Sequence, residues 1–89
     1  MSSFAIYSSR CMTPKDQSIV RLFASALKQL RLEYGLNQSK LSDISNIERR
    51  HIHRLEKGEV DPTIETIYKL ADAIGIDVIT IVERMDGGR

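Results

Sequence analysis

The amino-acid sequence predicts an all-α domain of five short helices within a chain of 89 residues. Apolar residues recur at spacings of three and four along most of the chain, which is the period of an amphipathic helix. Glycine or asparagine follows most of these stretches, where helices commonly end in a left-handed residue. No stretch reads as a strand, and the connections are short. A chain of this length supports one small hydrophobic core.

The first helix is predicted to begin at Thr13 and to end at Gly35. Thr13 is a suitable N-cap, Pro14 is favoured at the first helical position, and Asp16 lies three residues after the cap. The apolar stripe of this helix comprises Ile19, Leu22, Phe23, Ala26, Leu27 and Leu30. Residues 1–12 are rich in serine and lack a helical period, so we expect a tail or an arm there.

Two short helices follow, separated by a tight turn. Asn37 is predicted to cap the second helix, whose apolar face is expected to comprise Leu41 and Ile44, and Asn46 can adopt the left-handed conformation of the turn. The third helix is expected over about Arg49 to Lys57, with Glu48 in the capping position and Gly58 at its end. Glutamate is a mediocre cap, although its charge suits a helix N-terminus.

The last two helices complete the predicted domain. Thr63 is expected to cap the fourth, and Gly75 to close it. Its inward residues are predicted to be Ile64, Ile67, Leu70, Ala71 and Ile74. Asp77 is expected to cap a fifth helix from Val78 to about Met85, after which the sequence DGGR is predicted to fray.

Composition argues against several functions. The two histidines, His51 and His53, would lie about 200° apart around a helix, so they cannot chelate one metal ion together. No H-E-x-x-H spacing occurs, and neither histidine has an evident carboxylate to orient it. Apolar runs fall far short of the ~20 residues of a membrane span, and the single cysteine suits a reducing cytosol. We therefore expect a cytoplasmic protein that is not an enzyme and needs no cofactor, metal or membrane.

The charge of the chain is unevenly distributed. Residues 1–57 carry ten Lys/Arg and five Asp/Glu, whereas residues 58–89 carry three and seven, so charges of +5 and −4 give the net +1. On a helical wheel the cations of the third helix fall within about 140°, and the apolar Ile52 and Leu55 lie opposite. These cations are Arg49, Arg50, His53, Arg54 and Lys57. An outward basic stripe is often merely solvated, but a second helix after a tight turn is the arrangement that enters the DNA major groove.

The sequence resembles a known family. The stretch LKQLRLEYGLNQSKLSDISNIERRHIHRLEKGEVDPTIETIYKLADAIGID is similar to the helix-turn-helix family of phage Cro and cI repressors and bacterial Xre-type regulators, over roughly Leu22 to Val82. The resemblance implies a five-helix lambda-repressor-like domain over residues 18–86, an N-terminal arm or tail over 1–17, and a frayed end at 87–89. It also implies a bacterial or phage-encoded transcription regulator associated with the nucleoid. Restriction–modification controller proteins belong to this family, but the motifs do not assign the chain to that subgroup.

The resemblance implies roles for particular residues. At the start of the second helix, Asn37, Gln38 and Ser39 match positions that contact the DNA backbone, with Gln38 also bracing the third helix. Base edges or nearby phosphates are expected to be contacted by Glu48, Arg49, Arg50, His53 and Arg54, and Lys57 is expected to contact a phosphate or only solvent. For Glu48, a capping role is an equal alternative.

Arg31 and Glu56 match a pair that joins the first helix to the end of the third in phage-repressor relatives, which implies a partly buried ion pair. Two positions depart from the family pattern, since Ser42 replaces a usual alanine and Asn46 a frequent glycine. Both replacements are small, so we expect them to be tolerated.

The fifth helix is expected to form a homodimer interface, because it offers more apolar surface than so short a helix buries. The residues are Val78, Ile79, Ile81, Val82 and Met85. The alternative is that all of them pack inward against the first helix. Alternatively, the chain is expected to be an antitoxin or adaptor whose main partner is another protein. Such a module does not require three arginines on one face.

Overall fold

A computed structural model describes residues 13–87 of the chain, with side chains described from residue 19 onward. Five α-helices make up this part: α1 (Thr13–Glu33), α2 (Gln38–Ser45), α3 (Arg49–Glu56), α4 (Ile64–Ile74) and α5 (Val78–Gly87). No strand occurs between residues 13 and 87. The predicted all-α architecture of five helices is confirmed.

Helix boundaries at the two ends of the described region lie close to the predicted ones. α1 includes Thr13, where the first helix was predicted to begin, and residues 13–17 are helical. At the other end α5 continues to Gly87, two residues beyond the predicted end at Met85. Helix ends fray, and their boundaries commonly vary by one or two residues. The predicted arm at residues 1–12 and the last two residues lie outside the described residues.

Side-chain and backbone caps define the internal helix ends. Asn37 Oδ1 accepts a hydrogen bond from the Lys40 N–H at 2.7 Å, and Thr63 Oγ1 accepts one from the Thr66 N–H at 3.2 Å. Both caps were predicted. Glu48 occupies the N-cap position of α3, but its side chain makes no capping hydrogen bond. Glu48 therefore takes the predicted capping position, with its backbone carbonyl accepting from His51 and Ile52 and its carboxylate left unused by the cap.

One hydrophobic core draws on every helix. Seven large side chains are less than 2% exposed: Leu27, Leu30, Leu41, Ile52, Leu55, Leu70 and Ile81. Three residues predicted to face inward are instead exposed: Ile19 at 50%, Ile44 at 50% and Ile64 at 70%. In α2 the buried pair is Leu41 and Ser45. The buried face of α2 runs through Leu41 and Ser45, and Ile44 lies about 100° away from Ser45 around the helix, at the edge of that face.

The packing order places α3 between two other helices. α1 packs against α3 and α5, and α2 packs against α3 and α4, while α4 also contacts α5. Gly58, just after α3, adopts a left-handed conformation with φ +74°, and a Cβ atom there would lie 3.6 Å from Arg21 Cγ of α1. A Cβ atom would make only an ordinary contact there, so the positive φ, and not a lack of space, favours glycine at the end of α3.

An ion pair that sequence reasoning missed joins α5 to α1. The Arg84 guanidinium donates hydrogen bonds to both carboxylate oxygens of Glu33, at 2.6 and 3.1 Å. These hydrogen bonds hold the pKa of the Glu33 carboxyl below its ordinary value. Between residues 13 and 87 no helix is long and apolar enough to cross a membrane.

Candidate nucleic-acid interface

The third helix has two chemically distinct faces. Ile52 and Leu55 are completely buried in the core. The side chains of Arg49, Arg50, His53 and Arg54, and of Lys57 just beyond the helix, are exposed. The apolar face of α3 is therefore buried within the domain, and its cationic face points to solvent. This confirms the orientation that the helical wheel predicted.

The turn between α2 and α3 is held by two serine hydroxyls. Asn46 adopts the left-handed conformation that was predicted, with φ 64°. Ser42 Oγ donates a hydrogen bond to the Ile47 carbonyl at 2.6 Å, and Ser45 Oγ accepts one from the Ile47 N–H at 3.3 Å. Ile47 itself is 8% exposed. The serine at position 42 is thus a constraint on the turn and not only a tolerated replacement, a role that sequence reasoning missed.

A buried polar network fastens α3 to the other two helices. Arg31 donates two hydrogen bonds to the Glu56 carboxylate, one from Nε at 2.7 Å and one from Nη2 at 3.0 Å. Its third nitrogen, Nη1, donates to the Leu36 carbonyl at 3.0 Å. Gln38 Nε2 donates to Glu56 Oε1 at 3.1 Å. The Arg31 and Glu56 side chains are only 8% and 4% exposed. The ion pair expected from the family resemblance is present, and Gln38 braces α3 through it.

The N-terminus of α2 lies beside the cationic face of α3. Arg49 Nη1 is 3.5 Å from Ser39 Oγ, so the guanidinium reaches across to the first turn of α2. The backbone N–H groups of such a first turn have no partners within the helix and favour an anion. Among the first residues of α2, Lys40 has its N–H satisfied by Asn37. Positive charge and free donors are thus brought together at one end of the interface.

Beyond the end of α3, the acidic residue Glu59 contacts the cationic face. Arg54 Nε lies 3.5 Å from Glu59 Oε1, and the two side chains are 51% and 49% exposed. Glu59 follows Gly58, so its position depends on how the chain leaves α3. No motif in the sequence marks this contact.

All nine residues predicted to bind DNA lie on one continuous part of the domain. They occupy the start of α2, the capping position of α3 and its outer face: Asn37, Gln38, Ser39, Glu48, Arg49, Arg50, His53, Arg54 and Lys57. Gln38 is half-buried and the other eight are exposed. Within residues 13–87 no group of three metal-binding side chains occurs. The arrangement is suited to binding a polyanion through surface contacts.

The fifth helix divides the residues predicted for a dimer interface. Ile81 is completely buried in the core, so it is not available to a partner, and that part of the prediction is wrong. Val78 and Met85 are half-buried against the core. Ile79 and Val82 are 67% and 49% exposed, so the alternative in which all five residues pack inward is also wrong.

Sequence and structure comparisons identify the family. The helix-turn-helix model HTH_3 matches residues 27–81. An uncharacterized HTH-type transcriptional regulator, y4dJ of Sinorhizobium fredii, is 33% identical over 66 residues, which span 74% of this chain and 86% of that protein. Other matched regulators are longer, and the chain spans only 37% and 23% of two of them.

Solved structures show the same fold. The restriction–modification controller protein C.AhdI from Aeromonas hydrophila has a TM-score of 0.68 and 29% identity, covering 70% of this chain and 94% of C.AhdI. The controller protein C.Esp1396I, solved as a tetramer in complex with its 35-base-pair operator, has a TM-score of 0.74 and 22% identity over 78% of this chain and 91% of C.Esp1396I.

These relatives are transcription regulators rather than enzymes, as the sequence predicted. Because the family model covers more than half of its length, the chain belongs to the helix-turn-helix family of DNA-binding transcription regulators, of the Xre and Cro/cI type.

Proposed function

We propose that the protein binds a palindromic operator as a homodimer, with α3 of each copy in the major groove. The observation that carries this proposal is the α3 helix, which exposes a row of cations while its opposite face is fully buried. A helix fastened in this way presents its side chains on a rigid support, which sequence readout requires. Binding of this kind would regulate transcription by blocking or recruiting RNA polymerase.

The arginines of α3 differ in the roles we assign to them. Arg50 is exposed in the first turn, where a recognition helix enters the groove deepest. A guanidinium there can bond to guanine O6 and N7 together. Arg49 reaches toward Ser39 at 3.5 Å, so its guanidinium is suited to a phosphate held between the two helices. We therefore assign base reading to Arg50 first, and Arg49 to a base or an adjacent phosphate.

Contacts from α2 are proposed to set the register on the DNA backbone. Gln38 uses one N–H of its amide for Glu56, and the second N–H remains able to donate to a phosphate. Asn37 and Ser39 flank it at the exposed helix start. Glu48, whose carboxylate makes no capping bond, is suited to accept from cytosine N4. His53, Arg54 and Lys57 extend the contact surface along α3.

Homodimer formation is proposed through Ile79 and Val82 of α5. Ile64 and Tyr68 of α4 are also 70% and 60% exposed, and Tyr68 lines one groove together with Val78 at the start of α5. An apolar surface shared by two helices suits a two-fold interface. Two copies would read half-sites about 10 bp apart, which doubles the discrimination available to one helix.

The dimer is tested by sedimentation equilibrium of the wild type and two lysine variants. Ile79→Lys should convert the dimer to a monomer, because the charge would be desolvated in the interface. Leu32→Lys is the matched control, since Leu32 is a 58% exposed apolar residue of α1, and this variant should remain dimeric. A monomeric wild type would refute the dimer, and a dimeric Ile79→Lys protein would place the interface elsewhere.

Operator binding is tested by selecting bound sequences from a random duplex library at near-physiological salt. An enriched palindrome is the expected result. Arg50→Ala should then weaken operator binding by ~1–3 kcal/mol and relax the preference at one position. Lys28→Ala is the matched control, because it removes one exposed cation from α1, away from the groove beside α5, and it should leave the preference unchanged.

Equal weakening of operator and random duplexes by Arg50→Ala would make Arg50 a phosphate contact. Selection without enrichment would refute sequence-specific binding and favour a module whose main partner is another protein. An operator-binding role would place the protein in the cytoplasm, at the nucleoid of a bacterial host.

A further inference from the structure

The contact between Arg54 and Glu59 rests on a well-defined piece of backbone. The Glu59 N–H donates to the Arg54 carbonyl at 3.0 Å, and the Gly58 N–H donates to the Leu55 carbonyl at 3.1 Å. Gly58 has φ +74° and abuts Arg21 of α1. These bonds form a left-handed helix termination that leaves little freedom to the residue after the glycine. The fold therefore places the backbone of Glu59 where its carboxylate can reach the Arg54 guanidinium.

The ion pair involves one particular nitrogen of the guanidinium. Arg54 Nε faces Glu59 Oε1 at 3.5 Å, and among residues 13–87 no other contact engages this guanidinium. The two terminal nitrogens, Nη1 and Nη2, carry four of the five N–H donors of an arginine. They are the end of the side chain that remains available to a ligand. With Nε beside Glu59, the terminal nitrogens of Arg54 are its donors to a ligand of the cationic face.

We propose that Glu59 is a positioning residue for sequence readout, which directs Arg54 toward a base and lowers the affinity for random DNA. This inference rests on the proposed operator binding. Holding a long side chain in one orientation before binding reduces the conformational entropy lost on forming a base contact. Arg54 is 51% exposed and would otherwise sample many rotamers. A rotamer that contacts a phosphate instead of a base edge carries no sequence information.

The charge of Glu59 contributes separately. Affinity for random DNA comes almost entirely from cations that neutralise phosphates, and a carboxylate among them opposes this attraction. Glu59 Oε1 lies 3.5 Å from Arg54 Nε, well within the Debye length of about 8 Å at physiological salt. It therefore lowers the non-specific contribution of this end of α3. Phosphates are present in operator and random duplexes alike, so this repulsion lowers both affinities and leaves the ratio between them to the positioned Arg54.

The test compares Glu59→Ala with a matched control, Glu65→Ala. Both residues form a single exposed ion pair of 3.5 Å, Glu59 with Arg54 and Glu65 with Lys69, so each change removes one carboxylate. Affinity for the selected operator and for a random duplex is measured at several salt concentrations. For Glu59→Ala, random-duplex affinity should rise. The operator-to-random ratio should fall about five- to tenfold, at the low end of the roughly 5- to 150-fold of one good arginine–guanine pair. Glu65→Ala should leave the ratio unchanged.

Two further variants separate positioning from charge. In an Arg54→Ala background, Glu59→Ala should still raise random-duplex affinity but should no longer change the ratio, since the positioned side chain is absent. Glu59→Asp keeps the charge and shortens the reach, so it should lower the ratio without raising random-duplex affinity. Urea unfolding midpoints of all variants confirm that the domain is folded in each measurement.

The possible results distinguish this inference from the function on which it rests. The positioning role is overturned if Glu59→Ala leaves the operator-to-random ratio unchanged. It is also overturned if Glu59→Ala lowers that ratio equally with and without Arg54. Operator binding stands in both cases. A wild-type protein that does not discriminate between duplexes overturns both. A ratio that falls only when Arg54 is present supports the assignment.

Discussion

Replacing Glu56 with alanine should destabilise the domain by about 3–5 kcal/mol, the cost typical of breaking a buried ion pair. Three hydrogen bonds end on this carboxylate, two from Arg31 at 2.7 and 3.0 Å and one from Gln38 at 3.1 Å. With Glu56 truncated, Arg31 keeps only its bond to the Leu36 carbonyl. Its side chain is 8% exposed, so water does not readily replace the lost partner.

Equilibrium urea unfolding, followed by far-UV circular dichroism at neutral pH, measures this loss. Small domains have a total stability of about 5–15 kcal/mol, so Glu56→Ala could leave the protein marginally folded. Glu56→Gln is the second variant, because an amide oxygen still accepts hydrogen bonds, and it should cost about 1–3 kcal/mol. Glu65→Ala is the matched control, since its pair with Lys69 is exposed and should contribute only ~0.3–0.5 kcal/mol.

A double replacement, Arg31→Met with Glu56→Leu, tests the physical reason for the loss. If the cost arises from an unpaired buried charge, removing both charges should recover most of the stability. A loss for Glu56→Ala within about 1 kcal/mol of the Glu65→Ala control would refute the reasoning, because it would mean that Arg31 finds water or another partner.

Three further changes test the caps, the turn and the α1–α5 ion pair. Asn46→Val should lower the free energy of unfolding by about 1–2 kcal/mol, since φ is 64° at this position and a β-branched residue is strained in that region. A thermal midpoint equal to that of the wild type would contradict this. Asn37→Ala should lower the free energy of unfolding by ~1 kcal/mol through loss of the α2 cap. A loss in urea unfolding no larger than that of Glu65→Ala would argue against this capping contribution. The hydrogen bonds from Arg84 lower the pKa of Glu33, so the stability they confer is present above the ordinary value of 4.5 and is lost as the pH falls through the folded pKa. Urea midpoints of wild type and Glu33→Gln should therefore converge on acidification, and a constant difference between them would count against the pair.

Much of the interface was predictable because it depends on local chemistry. The caps at Asn37 and Thr63 and the left-handed Asn46 follow from the preferences of single residues. The outward direction of the α3 cations follows from the helical period and from the apolar Ile52 opposite them. The Arg31–Glu56 pair was implied by the family resemblance, since 25 residues separate its members and no local rule connects them.

The helices, their order and the charge of the α3 surface follow from the amino-acid sequence, because they depend on neighbours within one or two turns. Where several apolar residues could be buried, the choice between them is made by tertiary packing. Ser45 is buried while Ile44 is exposed, and Ile81 is taken into the core while Ile79 is left outside it. The ion pairs of Arg54 with Glu59 and of Arg84 with Glu33 likewise depend on how helices and turns meet. A contact between elements requires their relative position, which side-chain packing sets and a linear pattern does not encode.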